Sequence, residues 1–414
     1  MHIPNPSPDG AATPASDEGP GPAAAGSGAP PGIVLIVDHQ LPTPDQDSGS
    51  LRLSRLVEQL VRLGRSVLFF PVNGEAPEHY AARLRDRGVA IVRRPEQQSR
   101  FLRDHGHRIG LALLCRPQPA LRMIGELRDL APQCVIAYDT VDLHFRRFGR
   151  QADLAEREGR TDRFTLRARA ETSRALELLL LRASDVTLVV SEEERALLRA
   201  LEPGADVRVL SNVHAPGQPG GGRPAGARVL FIGNYLHAPN VDAAHWLARE
   251  IMPRVRREVP EAVLDLIGPA APASVTALAG TGVSVHGWVE TPAPLYASAR
   301  AAVAPLRYGA GVKGKVGEAL EHGVPVVGTR IAFEGMGLRD GHQVLVGETA
   351  GELAAHLVRL LRDDELGVRL VRAAQPALLA RFGPDAALSS LRELLALPPR
   401  RRAGTTGSGC GAPP

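Results

Sequence analysis

Two lysines follow a glycine-rich turn late in the chain, in the run YGAGVKGKVGEAL. Gly311 and the glycines on either side of it allow the backbone to come close to a ligand. Lys313 and Lys315 then add positive charge where the helix that follows presents unpaired N–H groups and the positive end of its dipole. A phosphate group fits such a site. Glu318 comes one turn later, where its carboxylate can accept hydrogen bonds from ribose hydroxyls.

Apolar segments must hold this turn in place on both sides. Ala301–Ala304 predicts a short strand, which Pro305 ends because proline cannot donate to a sheet ladder. Gly323 predicts the end of the helix, and Val324–Thr329 is typical of the next buried strand. Taken alone, the pattern also fits an ordinary strand-turn-helix with two solvated lysines.

The stretch GVKGKVGEALEHGVPVVGT, followed by Glu334–Met336, resembles the nucleotide-sugar site of the retaining glycosyltransferases of the GT-B fold, family four (glycosyl transferases group 1). The resemblance implies an α/β protein in which two Rossmann-like doubly wound domains face a central cleft. Relatives commonly carry two glutamates eight positions apart, the second at the place of Glu318. Because the earlier place is Ala310 here, the donor-sugar contact credited to that glutamate is lost or is supplied by another group.

Bulk properties exclude several classes of protein. At 414 residues the chain is long enough for two domains. Its formal charge of +4 suits anionic substrates or an anionic membrane surface, but it is too small to argue for nucleic acid. Three cysteines without metal-ligand spacing fit a reduced, cytoplasmic compartment. No apolar run approaches the ~20 residues of a membrane span, so we expect any membrane contact to be peripheral.

Strand and helix patterns alternate along two halves of the chain, as in doubly wound sheets. The ends are rich in proline, glycine and small residues, which predicts disordered tails. The resemblance implies that the first domain is on the acceptor side, that the second binds the nucleotide sugar, and that the last helix crosses back to the first. The predicted boundaries are a tail at 1–31, a first domain at 32–213, a linker at 214–226, a second domain at 227–376, a crossing helix at 377–397 and a tail at 398–414.

The loop after the first predicted strand should lie at the carboxyl edge of a parallel sheet, where ligands bind. It contains Asp47, Ser48 and Gly49, and Ser50 is the candidate N-cap of the first helix. Asp45 and Asp47 also form an Asp-x-Asp pair, like the metal-chelating motif of the other major glycosyltransferase fold. This pair opens the first helix instead of following several strands, so we interpret it as a helix-start feature and not as a metal site.

A second polar loop follows the predicted strand Cys134–Tyr138. Polar groups at the carboxyl end of a strand often take part in chemistry, and this loop carries Asp139, Asp142 and His144. In related enzymes a histidine that faces the transferred sugar often follows this strand. Asp139 takes that place by position and His144 lies a few residues on, so either is a candidate. The alternative is that Asp142 caps a helix and His144 packs beneath it.

The loop after the first strand of the second domain contains Gly233, Asn234 and Asn240. A glycine there indicates a turn that faces a ligand. Many relatives carry an arginine and a lysine in this loop to hold the diphosphate. Asparagines replace them here, so Lys313 and Lys315 are expected to supply the positive charge.

Two other motifs complete the set of candidates. The stretch HGWV carries Trp288 and Val289, which the resemblance places beside the nucleotide base. Ser191 and Glu194 have the spacing of a capping box at the start of a helix. A capping box explains both residues without a catalytic role.

The function that the resemblance implies is that of a metal-independent, hexosyltransferase-type enzyme without a cofactor. It would move a sugar, with retention of configuration, from a nucleotide-diphosphate sugar to a hydroxyl of a glycan or lipid-linked acceptor, in surface polysaccharide or glycolipid synthesis. The departing phosphate would take the acceptor's proton, so no dedicated nucleophile is expected. Two alternatives stay open: a sugar-nucleotide epimerase of the same fold, and an inactive scaffold that binds a nucleotide or glycan.

A basic segment of the first domain surrounds the apolar pair Phe101 and Leu102. Its basic side chains are Arg93, Arg94, Arg100, Arg103, His105, His107 and Arg108. Such a surface can sit on an anionic membrane, here the inner face, with each basic residue adding about 1 kcal/mol near the headgroups. The alternative is a solvated helix face whose arginines keep the protein soluble.

Overall fold

The computed structural model describes residues 32–215 and 224–400. The predicted tail at 1–31 lies outside the described residues, as do residues 401–414 of the predicted tail at 398–414 and residues 216–223 of the predicted linker. Among the helices described, none is long and apolar enough to cross a membrane.

The first half of the chain forms a parallel sheet with helices on both faces. Its seven strands have the order β3-β2-β1-β4-β5-β6-β7. Most are short runs buried on both faces, which is why they read as continuous apolar segments in the sequence. The strands are β1 Ile33–Asp38, β2 Val67–Pro71, β3 Ala90–Ile91, β4 Ile109–Cys115, β5 Val135–Asp139, β6 Val186–Val189 and β7 Val207–Val209. The helices are α1 Ser48–Arg62, α2 Glu78–Arg85, α3 Pro95–His105, α4 Pro117–Leu130, α5 His144–Arg157, α6 Arg163–Ala183 and α7 Glu192–Leu201.

The second half repeats this architecture with six parallel strands in the order β10-β9-β8-β11-β12-β13. The strands are β8 Arg228–Ile232, β9 Val263–Ile267, β10 Val283–Gly287, β11 Ala301–Ala304, β12 Val326–Gly328 and β13 Leu345–Val346. The helices are α8 Ala238–Trp246, α9 Met252–Glu258, α10 Ala273–Thr276, α11 Ala293–Ser298, α12 Gly314–Glu321, α13 Arg330–Phe333, α14 Ala350–Arg362, α15 Asp364–Phe382 and α16 Pro384–Leu395. The two doubly wound sheets confirm the predicted fold class.

The strand order places a switch point in each sheet. In the first sheet β1 lies between β2 and β4, and in the second β8 lies between β9 and β11. Open parallel sheets bind ligands outside the carboxyl ends of the strands at such points. The loops that follow these strands therefore include those that carry the predicted site residues.

The start of the first helix differs from the prediction. Ser50 is not the N-cap, because α1 begins two residues earlier and Asp47 caps it. One Asp47 carboxylate oxygen accepts a hydrogen bond from the Ser50 backbone N–H at 2.9 Å, and the other accepts one from the Ser50 hydroxyl at 2.7 Å. Asp47 thus satisfies one of the N–H groups that the first turn leaves unpaired.

The crossing helix is shorter than the predicted range. Gly383 ends α15, and α16 begins at Pro384. Proline suits this position because the N–H group of the first helical residue has no hydrogen-bond partner within the helix. The side chains of Leu391 and Leu394 pack into the core of the first sheet, whereas Leu370 on α15 packs into the core of the second. The chain passes from the core of the second half to that of the first between Phe382 and Ala387.

The predicted linker between the two halves is held in place by its first residue, His214. His214 is buried, and its Nδ1 lies 2.8 Å from a carboxylate oxygen of Glu321 on α12. Arg55 on α1 donates to the same carboxylate at 2.8 Å. One buried acid therefore ties together the two sheets and the segment between them.

The basic segment around α3 presents only part of its apolar pair to solvent. Leu102 is fully buried, whereas Phe101 is half-buried and packs edge-on against Phe70 with a centroid distance of 6.1 Å. Arg100 and Arg103 are exposed. The expected mixed basic and apolar surface is therefore wrong for Leu102, which belongs to the core.

Candidate functional site

A cavity of about 600 Å³ lies between the carboxyl edges of the two sheets. Its volume is in the range of sites for small organic ligands. Nearly all of the predicted site residues line it: Asp47, Ser48, Gly49, His144, Gly233, Asn234, Asn240, Trp288, Val289, Gly311, Lys313, Lys315 and Glu318. Asp139 is the exception.

The glycine turn after β11 places Lys313 inside this cavity. Gly311 has a φ of +70°, a left-handed conformation that favours glycine. The Lys313 ammonium donates to the carbonyl oxygens of Ala310 at 3.0 Å and Gly311 at 2.5 Å, and the residue is only 9% exposed. Burial lowers the pKa of Lys313 from 10.5 to about 8. Its partners are carbonyl groups, which do not neutralise its charge.

Lys315 lies two residues further on, in the first turn of α12, and a residue of the segment after β8 holds its side chain. Its ammonium donates to the side-chain oxygen of Asn240 at 2.5 Å and lies 4.5 Å from the ring centroid of Phe231. Asn240 is itself fixed, because its amide donates to the Asn234 carbonyl at 2.7 Å. Burial lowers the pKa of Lys315 to about 7. The two asparagines therefore position a lysine.

Two glycines permit this arrangement because a side chain would collide with their neighbours. A Cβ atom on Gly233 would lie 2.7 Å from the side chain of Asn240. A Cβ atom on Gly314 would lie 2.4 Å from the Cβ of Ser48. The first turns of α1 and α12 are thus in contact across the cleft, and both helix N-termini lie at the cavity. Their dipoles add to its positive potential.

Neither lysine forms an ion pair with an acidic side chain among the described residues, and the full sequence contains no other lysine. Everywhere else the chain takes its positive charge from arginine. The pKa of a lysine ammonium group shifts readily when the group is buried, whereas the guanidinium group of arginine stays charged. The site is therefore a pair of dehydrated ammonium groups open to an anion.

Glu318 extends the site along α12. It lines the cavity one turn after the lysines, and its carboxylate makes no hydrogen bond to any described residue. Burial raises the pKa of its carboxyl group. Its oxygens are available to a ligand whose anionic part rests on the lysines.

Asp139 does not reach the cavity. Its carboxylate is fully buried and accepts two hydrogen bonds from Arg52 of α1, at 2.6 and 3.1 Å. Arg52 also donates to the Leu210 carbonyl at 2.6 Å. The ion pair fixes α1 on the sheet. Of the two candidates in this loop, His144 is the one that lines the cavity.

Asp142 was predicted as a helix cap in the alternative reading, and that role belongs to another residue. The first backbone N–H groups of α5 donate to the carboxylate of Glu177, each at 2.9 Å. Asp142 instead lines the cavity, 3.3 Å from His144 Nε2 and 3.0 Å from Arg147 Nε. Burial alone would raise the pKa of Asp142, but Arg147 and His144 together hold it well below its usual value.

The backbone before Asp142 is strained. Val141 has a φ of +62°, which is rare for a β-branched residue. The conformation brings Asp142 against the glycine turn, where a Cβ atom on Gly311 would lie 3.0 Å from the Cβ of Asp142. Strain of this kind concentrates at functional sites. Sequence analysis found the loop but not this contact.

The Asp-x-Asp pair has structural partners. Asp47 caps α1, and Asp45 accepts hydrogen bonds from the Tyr80 hydroxyl at 3.0 Å and from Trp288 Nε1 at 3.1 Å. The second of these bonds crosses the mouth of the cavity. Within the part of the chain that the structure describes, no cluster of three or more metal-binding side chains occurs.

The capping box at α7 is incomplete. Ser191 caps the helix as predicted, since its hydroxyl accepts from the Glu194 backbone N–H at 3.2 Å. The Glu194 carboxylate, however, accepts a hydrogen bond from the backbone N–H of Gly311 in the other half of the protein, at 3.0 Å. The interpretation that a capping box explains both residues is therefore wrong for Glu194.

Further ion pairs join the first half of the protein to the glycine turn, and sequence analysis missed them. Glu334 accepts from Arg146 at 2.5 Å and from Arg150 at 2.7 and 2.9 Å. Arg150 also donates to the Gly309 carbonyl at 2.7 Å. Nothing in the local sequence pairs residues so far apart.

Comparison with known proteins supports the same fold. Residues 226–363 match the family described as Glycosyl transferases group 1. No curated protein sequence matches the chain.

Among solved structures, the chain is similar to the sucrose-phosphate synthase of Thermosynechococcus elongatus (TM-score 0.63, 16% identity, covering 88% of this chain and 98% of that one). It is also similar to Anabaena HepE in complex with UDP-glucose (TM-score 0.64, 14% identity, 88% and 99%). A third is a variant of S. aureus TarM in complex with fondaparinux, alpha-GlcNAc-glycerol and UDP (TM-score 0.55, 12% identity, 69% and 55%). The chain has the GT-B fold.

The lowered lysine pKa values lead to a direct test. Protein labelled with ¹³C only in lysine should give two sets of side-chain NMR signals. In a pH titration these should show pKa values near 7 for Lys315 and near 8 for Lys313. Because a diphosphate stabilises the charged forms, adding inorganic pyrophosphate should raise both values. Pyrophosphate affinity should therefore fall as the pH rises through this range. Two lysines that titrate near 10.5 with and without the anion would contradict the site.

Proposed function

We propose that the protein is a glycosyltransferase that moves a sugar from a nucleotide-diphosphate sugar to a hydroxyl group. The observation that carries the proposal is the pair of ammonium groups at the start of α12, the buried Lys313 and the half-buried Lys315, neither of which forms an ion pair among the described residues. A diphosphate supplies the charge that they lack. The match of residues 226–363 to the glycosyltransferase family and the UDP-glucose bound by HepE support the same assignment.

In this proposal the site stabilises the leaving group. As the bond between the sugar and the diphosphate breaks, negative charge grows on the phosphate oxygens. The ammonium groups of Lys313 and Lys315 and the N–H groups of α12 oppose that charge, so they lower the energy of the transition state more than that of the ground state. The closed cavity strengthens the effect, because charges interact more strongly where water is excluded.

Retention of configuration would follow if the acceptor attacks on the same face that the diphosphate leaves. The acceptor oxygen forms the new bond to the sugar while the old bond breaks, and a departing phosphate oxygen takes the acceptor's proton. No protein nucleophile, metal or cofactor enters this scheme. The protein's part is to hold the acceptor hydroxyl beside the departing phosphate, on the same face of the sugar.

The rest of the donor would occupy the cavity on either side of the lysines. Trp288 and Val289 would lie against the base, and Glu318 would accept hydrogen bonds from the ribose hydroxyls. Asp142 and His144 face the glycine turn from the first half of the protein, where the transferred sugar must lie. We infer that Asp142, adjacent to Gly311, supplies the carboxylate that Ala310 lacks.

The acceptor is a separate proposal. TarM was solved with alpha-GlcNAc-glycerol and the Thermosynechococcus protein is a sucrose-phosphate synthase, so neighbours of this fold differ in acceptor. We propose a glycan or lipid-linked acceptor of surface polysaccharide or glycolipid synthesis, met at the cytoplasmic face of a membrane. The exposed arginines on and next to α3 would contact the membrane through electrostatic attraction to anionic headgroups.

Turnover experiments separate this function from its alternatives. The purified protein, incubated with UDP-, GDP- and ADP-sugars and hydroxyl acceptors, should release free nucleotide only when an acceptor is present. Chelator should leave the rate unchanged. Isomerised donor without transfer would indicate an epimerase, and binding without any turnover would indicate a scaffold. Complete loss with chelator that manganese restores would overturn the metal-independent scheme.

Replacing either lysine should reduce transfer. At least one of Lys313→Ala and Lys315→Ala should lose on the order of a hundredfold in kcat, since it removes a charge-assisted phosphate contact from an enclosed site. Arg330→Ala, which removes an exposed positive charge outside the cavity, serves as the control. Wild-type rates in both lysine variants would show that the diphosphate binds elsewhere.

The membrane contact has its own measurement. Sedimentation with liposomes that contain anionic lipid should be strong at low salt and absent at high salt, because screening weakens exposed charges. The triple change of Arg100, Arg103 and Arg108 to glutamine should abolish it. The same change at the exposed Arg249, Arg254 and Arg257 of the second half is the control. Equal binding by both variants would argue against the α3 surface.

A further inference from the structure

Glu194 is a buried acid whose strongest contact lies in the other half of the protein. The residue is 1% exposed. One carboxylate oxygen accepts from the backbone N–H of Gly311 at 3.0 Å, and the other lies 3.5 Å from the backbone N–H of Val190. Ser191 alone satisfies the start of α7. Capping therefore does not account for the carboxylate.

The Gly311 N–H belongs to the same peptide group as the Ala310 carbonyl, and that carbonyl accepts from the Lys313 ammonium at 3.0 Å. One peptide group thus lies between the Glu194 carboxylate and the Lys313 ammonium. The peptide is planar, so fixing its N–H fixes the direction of its C=O. Hydrogen bonds in such a chain also polarise one another in a water-poor setting. The position of Lys313 consequently depends on Glu194.

The start of α7 also meets the next loop of the second half. Gly335 has a φ of +77°, and a Cβ atom there would lie 2.6 Å from the Cβ of Ser191. The helix start therefore sits against both loops that border the anion site. This approach is possible only while the two halves of the protein are in contact.

The charged groups that face Glu194 are Lys313 and Asp142. Burial and Asp142 raise the pKa of Glu194 and Lys313 opposes the shift, which leaves the pKa at about 7. A carboxyl group is costly to dehydrate unless hydrogen bonds compensate it. Its bond to Gly311 supplies that compensation across the cleft.

We propose that Glu194 is a positioning residue that orients the Ala310–Gly311 peptide and, through it, the ammonium of Lys313. The anion site is then complete only when the first half of the protein closes on the glycine turn. Domain closure and assembly of the diphosphate site become one event. The catalytic meaning of this inference rests on the proposed function, whereas the coupling itself does not.

The lysine signals test the coupling without any ligand. In ¹³C-lysine-labelled protein, Glu194→Ala should shift the Lys313 side-chain signals and lower the Lys313 pKa, because the acid that favours its charged form is gone. The exposed neighbour Glu193→Ala should leave both unchanged. Unchanged Lys313 signals in a folded Glu194→Ala protein would overturn the proposal.

Turnover then tests its catalytic meaning. We expect Glu194→Ala to lose roughly tenfold or more in kcat, in the range of positioning effects on catalysis. Glu194→Gln should stay within about threefold of wild type, because its amide oxygen still accepts from the Gly311 N–H. A Glu194→Gln protein as slow as Glu194→Ala would contradict the hydrogen-bond argument, and thermal unfolding of each variant shows whether a loss reflects unfolding.

A double-mutant cycle separates positioning from general stability. If Glu194 acts through Lys313, then Glu194→Ala should cost little in a protein that already carries Lys313→Ala. Independent, additive losses would overturn the proposal. A wild-type protein that neither binds pyrophosphate nor releases nucleotide would refute the proposed function alone, since the lysine signals still report on the coupling.

Discussion

The dehydration of two positive charges dominates this structure. Burying an ammonium group costs several kcal/mol unless other groups replace the water that it loses. Lys313 has only two carbonyl oxygens, and Lys315 has an amide oxygen and an aromatic face. These neutral partners orient the ammonium groups without neutralising them. An anion in the cavity therefore stabilises the protein in proportion to the charge that it brings.

The rest of the site keeps those two charges in place. The left-handed turn at Gly311 lets the carbonyls converge on Lys313, and Asn240 aims Lys315 from a different loop. The first half of the protein contributes by contact, through the Arg150 pair with Glu334 and the bond from Trp288 to Asp45. Since these bonds span the cleft, opening it would loosen the lysines as well as expose them.

Sequence patterns predicted what depends on neighbours along the chain. The strands were found because buried parallel strands are short apolar runs, and α12 was found because a glycine turn precedes an apolar period that ends at Gly323. The cavity-lining lysines and Glu318 were identified from the glycine-rich turn and the helix start that follows it, and Trp288 from the family resemblance.

What sequence reasoning missed depends on residues far apart in the chain. Asp139 lies in a polar loop at a strand end, yet its partner Arg52 lies 87 residues away and draws it into the core. Glu177 replaced Asp142 as the cap of α5 from 33 residues away. Leu102 was assigned to the surface because its neighbours are basic, but the helix buries it in the core. Local spacing contains no information about such pairs.

The central claim is that the lysine pair binds a diphosphate, and thermal unfolding with matched nucleotides tests it most directly. UDP, GDP, ADP and their sugar conjugates would each be compared with the corresponding monophosphate. At a concentration of about 100 times the dissociation constant, a bound diphosphate adds ~2.7 kcal/mol to the free energy of unfolding. The account predicts stabilisation by at least one nucleoside diphosphate and a much smaller effect of its monophosphate. Equal stabilisation by both, or none by any diphosphate, would contradict it.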